Sequence, residues 1–232
     1  MKKNIAVFLP DLPQKSFIKP LADSLFFLSD YNIEFIDPYD IHLDVSNEEY
    51  YRCWQQQINT MMDNYDVFFG FSFGGVILQQ CLSLFEHQNK QIILFSTPTY
   101  ANDALTKKLS QVVSLCKQHQ LNEALSALYQ HVYYPNKHRQ QSYAIDNVIQ
   151  SQDRVIFGLQ RVLATDSTEI VKHTKVDHLH LIGEFSDLVN QDNVIAPKTG
   201  ELIIIPQAGM RVLQDNLPFC RNIILDRLNR EL

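Results

Sequence analysis

The chain has 232 residues, 45% hydrophobic and 20% charged, with a formal charge of −6. That length supports one substantial core and leaves little room for two full domains. The negative balance argues against general binding to nucleic acid or to an anionic membrane surface. No apolar stretch approaches the ~20 residues that span a bilayer. Cys53, Cys81, Cys116 and Cys220 lie far apart with no CxxC pair. They read as buried, reduced thiols of a cytoplasmic protein, not as a disulfide or metal framework.

Residues 4–9 read as a buried strand. Lys2-Lys3 followed by apolar residues has the outline of a signal peptide, but the run stops at Pro10-Asp11 and lacks a small-residue cleavage site. Residues 16–28 carry Phe17, Leu21, Leu25 and Leu28 at helical spacing. A second strand at 32–36 ends at Asp37-Pro38, and Asp40 and His42 follow in a loop. Residues 48–64 predict a helix whose stripe of Tyr51, Trp54, Ile58 and Met61 or Met62 faces the core.

Next comes an apolar run, Val67 to Phe71, that leads into Gly70-x-Ser72-x-Gly74 and then a helical pattern to about residue 87. A strand that turns sharply into a helix holds the serine hydroxyl at a strand end, beside a helix N-terminus that favours negative charge. The glycines let backbone pass close to backbone. A strand at 90–96 ends at Thr97-Pro98-Thr99. Apolar residues at helical spacing then run to about residue 165, interrupted at Tyr133-Tyr134-Pro135-Asn136. Strands at 176–182 and 201–205 and a helix at 218–228 close the chain. Alternating strands and helices predict a mostly parallel sheet covered on both faces.

The strand–Gly-x-Ser-x-Gly–helix unit is the nucleophile elbow, and the chain resembles the α/β-hydrolase superfamily. The resemblance implies a core of residues 1–98 and 166–232, with a helical cap of residues 99–165 over the active site. It makes Ser72 the nucleophile. The oxyanion donors would be the N–H of Phe73 and, from the loop after the first strand, that of Leu12 or Asp11, with Leu12 favoured. Pro10 has no N–H to give. Asp187, after Gly183, matches the triad acid.

One residue departs from the pattern. The family's apolar–Gly–His sequence after the last strand is here Ala208-Gly209-Met210. A serine hydroxyl is a weak nucleophile without a neighbour to accept its proton, and a thioether takes no proton at neutral pH. In serine proteases, losing the histidine costs about 10⁶ in turnover. His42, His131 and His138 are placed where they could face the chamber and substitute as base. His178 and His180 read as core or sheet-face residues, His173 precedes its strand, and His87 and His119 read as solvated helix residues.

Three functions follow from the resemblance. One is Ser72-dependent hydrolysis or transfer of an acyl group from a small apolar ester or thioester, free or on an acyl carrier protein. The second is a catalytically inactive binding protein on the same fold. The third is lyase or cyclase chemistry in the same pocket. No cofactor or metal is implied, since there is no phosphate-cradling loop and no paired ligand spacing.

Overall fold

The computed structural model describes residues 2–41, 44–137 and 144–230; His42 and His138 lie outside them. Strands β1 (Asn4–Phe8), β2 (Asn32–Ile36), β3 (Val67–Phe71), β4 (Gln91–Phe95), β5 (His178–Gly183) and β6 (Gly200–Ile205) form one sheet in the order β2-β1-β3-β4-β5-β6. Every pairing is parallel. The four inner strands are buried almost throughout, and the edge strands β2 and β6 are half exposed.

Side chains alternate across a pleated strand, and here the alternation sorts residues into two cores. Ile5, Val7, Val67, Phe69, Phe71, Ile93 and Phe95 face one side. They pack there against α1 (Lys19–Ser24), α8 (Val212–Asp215) and α9 (Leu217–Asn229). Ala6, Phe8, Phe68, Ile92 and Leu94 face the other. On that side lie α2 (Asn47–Met61), α3 (Phe73–Gln80) and the helices inserted between β4 and β5.

The insertion contains α4 (Asp103–Lys117), α5 (Leu121–Val132), α6 (Val148–Leu163) and the short α7 (Thr168–His173). Asn102 and Asn147 start α4 and α6, their side chains accepting the N–H groups of Leu105 and Gln150 at 2.9 and 3.1 Å. Each cap supplies a partner for one of the orphaned first-turn donors. Helix α4 packs against both α5 and α6 and buries Leu105, Leu109, Val112, Val113 and Cys116. Burying each aliphatic side chain is worth roughly 1.5–3 kcal/mol, so the apolar stripe holds the insertion together.

Several elements differ in detail from the sequence expectation. The helix expected at 16–28 is three pieces: α1 lies between 3₁₀ turns Lys15–Ile18 and Phe26–Leu28. Pro20, which cannot donate within a helix interior, sits at the first turn of α1 and starts it afresh. The helix after the elbow ends at Gln80 and continues as a 3₁₀ turn, Leu82–Phe85. His87 and His119 are exposed as expected but lie in turns, with φ of 66° and 61°. Helix α7, six residues long, is too short to show a helical period in the sequence.

Candidate active site

Ser72 sits between β3 and α3 with φ 48° and ψ −112°. A non-glycine residue with such a backbone costs about 1–3 kcal/mol and survives only where its surroundings force it. They do so here. The Ser72 N–H donates to the Phe95 carbonyl at 3.0 Å, and the Ser72 carbonyl accepts from Val76 N–H at 3.0 Å. A Cβ at Gly74 would lie 2.3 Å from the Phe8 carbonyl oxygen, and one at Gly70 would lie 2.6 Å from Gly75 Cα. Only glycine permits the helix to start so close to β1 and to fold back on its own strand.

The loop after β1 lies beside the elbow because β1 and β3 are neighbours, with Phe8 opposite Gly70. Among the described residues, neither the Leu12 N–H nor the Phe73 N–H donates a hydrogen bond. Ser72, Phe73 and Leu12 line one cavity of about 660 Å³. Its walls are mainly apolar, including Phe71, Phe95 and Leu188 from the sheet side and Leu105, Leu128 and Leu159 from the inserted helices. Met210 also lines it, and its sulfur accepts the Ser186 hydroxyl at 3.8 Å.

Asp187 is engaged elsewhere. Lys108 Nζ of α4 donates to its Oδ1 and to its carbonyl, each at 2.6 Å. His131 Nδ1 of α5 meets its Oδ2 at 2.5 Å. Burial alone would raise the Asp187 pKa, but the hydrogen bonds and positive charges of Lys108 and His131 outweigh it and hold the carboxyl below its usual range. The fold thus brings an imidazole of the insertion to Asp187, from α5. That histidine does not line the cavity, and neither does Asp187.

No protein-family model and no curated protein matches this sequence. Solved structures do match. MGS-M2, an alpha/beta hydrolase enzyme from a Medee basin deep-sea metagenome library, aligns with a TM-score of 0.75 at 12% identity, covering 99% of this chain and 90% of its own. The 2-hydroxy-6-oxo-6-phenylhexa-2,4-dienoate hydrolase of Rhodococcus sp. strain RHA1 aligns with a TM-score of 0.68 at 14% identity, covering 98% and 91%. Carboxylesterase CesB from Bacillus subtilis aligns with a TM-score of 0.64 at 13% identity, covering 98% and 84%. The fold is the α/β-hydrolase fold.

Within the α/β-hydrolase fold the remaining histidines fall away from Ser72. His178 and His180 are buried in β5. Burial lowers both, His180 to about 3, and His180 Nε2 accepts the Thr97 N–H at 3.2 Å. His173 is exposed and pairs with Glu169. Among the described residues no histidine lines the cavity, and no group of three or more His, Cys, Asp or Glu could hold a metal ion. No helix among them is long and apolar enough to cross a membrane.

Sequence reasoning gave no role to two side chains that shape the site, Arg154 and the carboxyl of Asp11, having considered only the backbone N–H of Asp11. Arg154 of α6 donates from Nε to the Leu12 carbonyl at 2.9 Å and from Nη2 to both oxygens of Asp37 at 3.0 Å. It thereby ties the Leu12 peptide to the insertion. Asp11 lines the cavity beside Leu12. Its Oδ1 accepts the Tyr39 hydroxyl at 3.3 Å, while Oδ2 is buried with no partner. Burial pushes its carboxyl up to about 8, against the opposing pull of Arg154. An acid in an otherwise apolar segment, Leu9-Pro10-Asp11-Leu12-Pro13, was the available signal for Asp11. Arg154 had none, lying 142 residues from Leu12.

Proposed function

We propose that this protein cleaves or transfers an acyl group at Ser72, from a small apolar ester or thioester, free or carried on an acyl carrier protein. Ser72 Oγ attacks the acyl carbon, the carbonyl electron pair moves to oxygen, and the proton that the serine hydroxyl gives up passes to the leaving oxygen or sulfur, so that an alcohol or thiol departs as the carbonyl reforms. Water or a second acceptor then takes the acyl group from the serine. The N–H groups of Phe73 and Leu12 receive the oxyanion, and Asp187 stands where the family keeps its triad acid. The inserted helices, residues 99–165, act as a cap that excludes water from an apolar chamber. One observation carries this reading: the strained turn places Ser72 in a largely apolar cavity that is also lined by Leu12 and Phe73, whose N–H groups donate to no described residue.

Met210 changes the expected rate. It fills the place of the base and takes no proton, which leaves the oxyanion hole and binding as the chief sources of acceleration, roughly 10³–10⁴ over water. Reactive thioesters are the substrates most compatible with such a site. A second reading, a binding protein without turnover, is favoured by the same fact together with the commitment of Asp187 to Lys108 and His131.

A fluorophosphonate probe separates the two. Labelling of the wild type, lost in Ser72→Ala, supports acyl chemistry at Ser72. Absence of labelling supports the binding protein. Loss of labelling in a folded His131→Ala variant would assign the base to the cap imidazole.

A further inference from the structure

The cavity that holds Ser72 is lined by three charged residue types: Asp11, Lys19 and Arg211. They are not equivalent. Lys19 is paired with Asp23 at 3.2 Å and its side chain is 79% exposed, so it belongs to the rim. Asp11, pushed up to about 8 by burial, is largely uncharged at neutral pH. Arg211 is half-buried and immediately follows Met210.

Arg211 is also held in place before any ligand arrives. Its guanidinium carbon lies 3.7 Å from the centroid of the Tyr133 ring. Its Nη2 donates to Asp215 Oδ1 at 3.1 Å. Asp215 is in turn fixed by the Gly209 N–H at 3.0 Å and by the Asn136 amide at 3.3 Å. Among the described residues Nη2 is the one guanidinium nitrogen with a hydrogen bond; Nε is buried and closed to a ligand, and Nη1 is left without an acceptor. An arginine braced on one edge and stacked on an aromatic ring keeps its remaining donors oriented at little entropic cost. A guanidinium nitrogen left without an acceptor in a largely apolar chamber is a ready donor to an anionic ligand.

We propose that Arg211 anchors an anionic group of the ligand, so that the cavity selects an apolar acyl chain bearing a carboxylate over its neutral counterpart. The proposal rests on the reading of this cavity as an acyl site and narrows its substrate class. The Arg211–Asp215 pair is formally neutral, so recognition comes from directed N–H donors and not from net charge.

Calorimetric titration of the full chain with octanoate and with octanamide, at pH 7, tests it without requiring turnover. Wild type binds octanoate at least tenfold more tightly than octanamide. Arg211→Gln brings the two to the same affinity and leaves octanamide within twofold of wild type. Should Arg211→Gln fail to fold with Asp215 uncompensated, Arg211→Lys keeps a charge there and still reduces the preference at least threefold. Equal affinities in the wild type, no binding of either ligand, or a preference that survives the folded Arg211 variants overturns the proposal. Ser72→Ala retains the full preference. An octanoate preference in a protein that no fluorophosphonate labels therefore sinks the serine reading and leaves this one standing.

Discussion

The two sides of the cavity are built to different standards. On the nucleophile side every group is locked: Ser72 is held at φ 48°, Gly74 abuts the Phe8 carbonyl, and Arg154 pins the Leu12 peptide. Elsewhere on the cavity wall lies the Met210 thioether, and the Asp187 carboxylate, outside the cavity, turns to two residues of the insertion. The contrast shows that displaying a nucleophile and activating it are separable. Display is a property of backbone geometry, set by neighbours in sequence and by strand pairing. Activation depends on a neighbouring group that accepts the serine proton, which the turn does not itself supply.

The sharpest way to break this comparison is Ser72→Ala, which abolishes fluorophosphonate labelling completely; residual labelling at full strength would move the reactive group elsewhere. Met210→His tests the other side. Restoring a positioned base raises esterase activity by about 10²–10⁴, read with a p-nitrophenyl ester at pH 8. An unchanged rate would show that the display side is not aligned for chemistry.

Arg154→Ala attacks the locked side. It strands the buried Asp37 carboxylate, whose side chain is 6% exposed, and lowers unfolding free energy by about 3–5 kcal/mol in urea titration. A loss below 1 kcal/mol would mean that the insertion, not this ion pair, positions the Leu12 loop.

Asp11 supplies a pH test. Its folded value is about 8, against 3.8 for an unperturbed aspartate carboxyl. Between those limits the native state keeps a proton that the unfolded state has released, so stability falls as pH rises from about 4 to about 8. Asp11→Asn flattens that decline and leaves the variant more stable than wild type at pH 8, by on the order of a few kcal/mol. A parallel pair of pH–stability curves would contradict the burial of this carboxyl.

The smallest effect is expected at Asp187. Its folded pKa is depressed, so its contribution is present above the unfolded value near 3.8 and is lost as pH falls through the folded one. Wild type and Asp187→Asn should differ at pH 6 and converge near pH 2. With 34% of the carboxylate side chain exposed, solvent screening keeps that difference small.

Much of this molecule was legible from residue order alone. The apolar runs and their alternation located all six strands, because burial on both faces demands a continuous apolar string and pleating sorts it by parity. Gly70, Ser72 and Gly74 announced the elbow, since a turn this tight has strict local requirements. What the sequence could not state is which distant groups meet: Arg154 with Leu12 and Asp37, His131 and Lys108 with Asp187, Arg211 with Tyr133. Those meetings depend on how the inserted helices are laid across the sheet. Helix packing is directed by apolar stripes, and the stripes carry no record of the polar partners that their rims bring together.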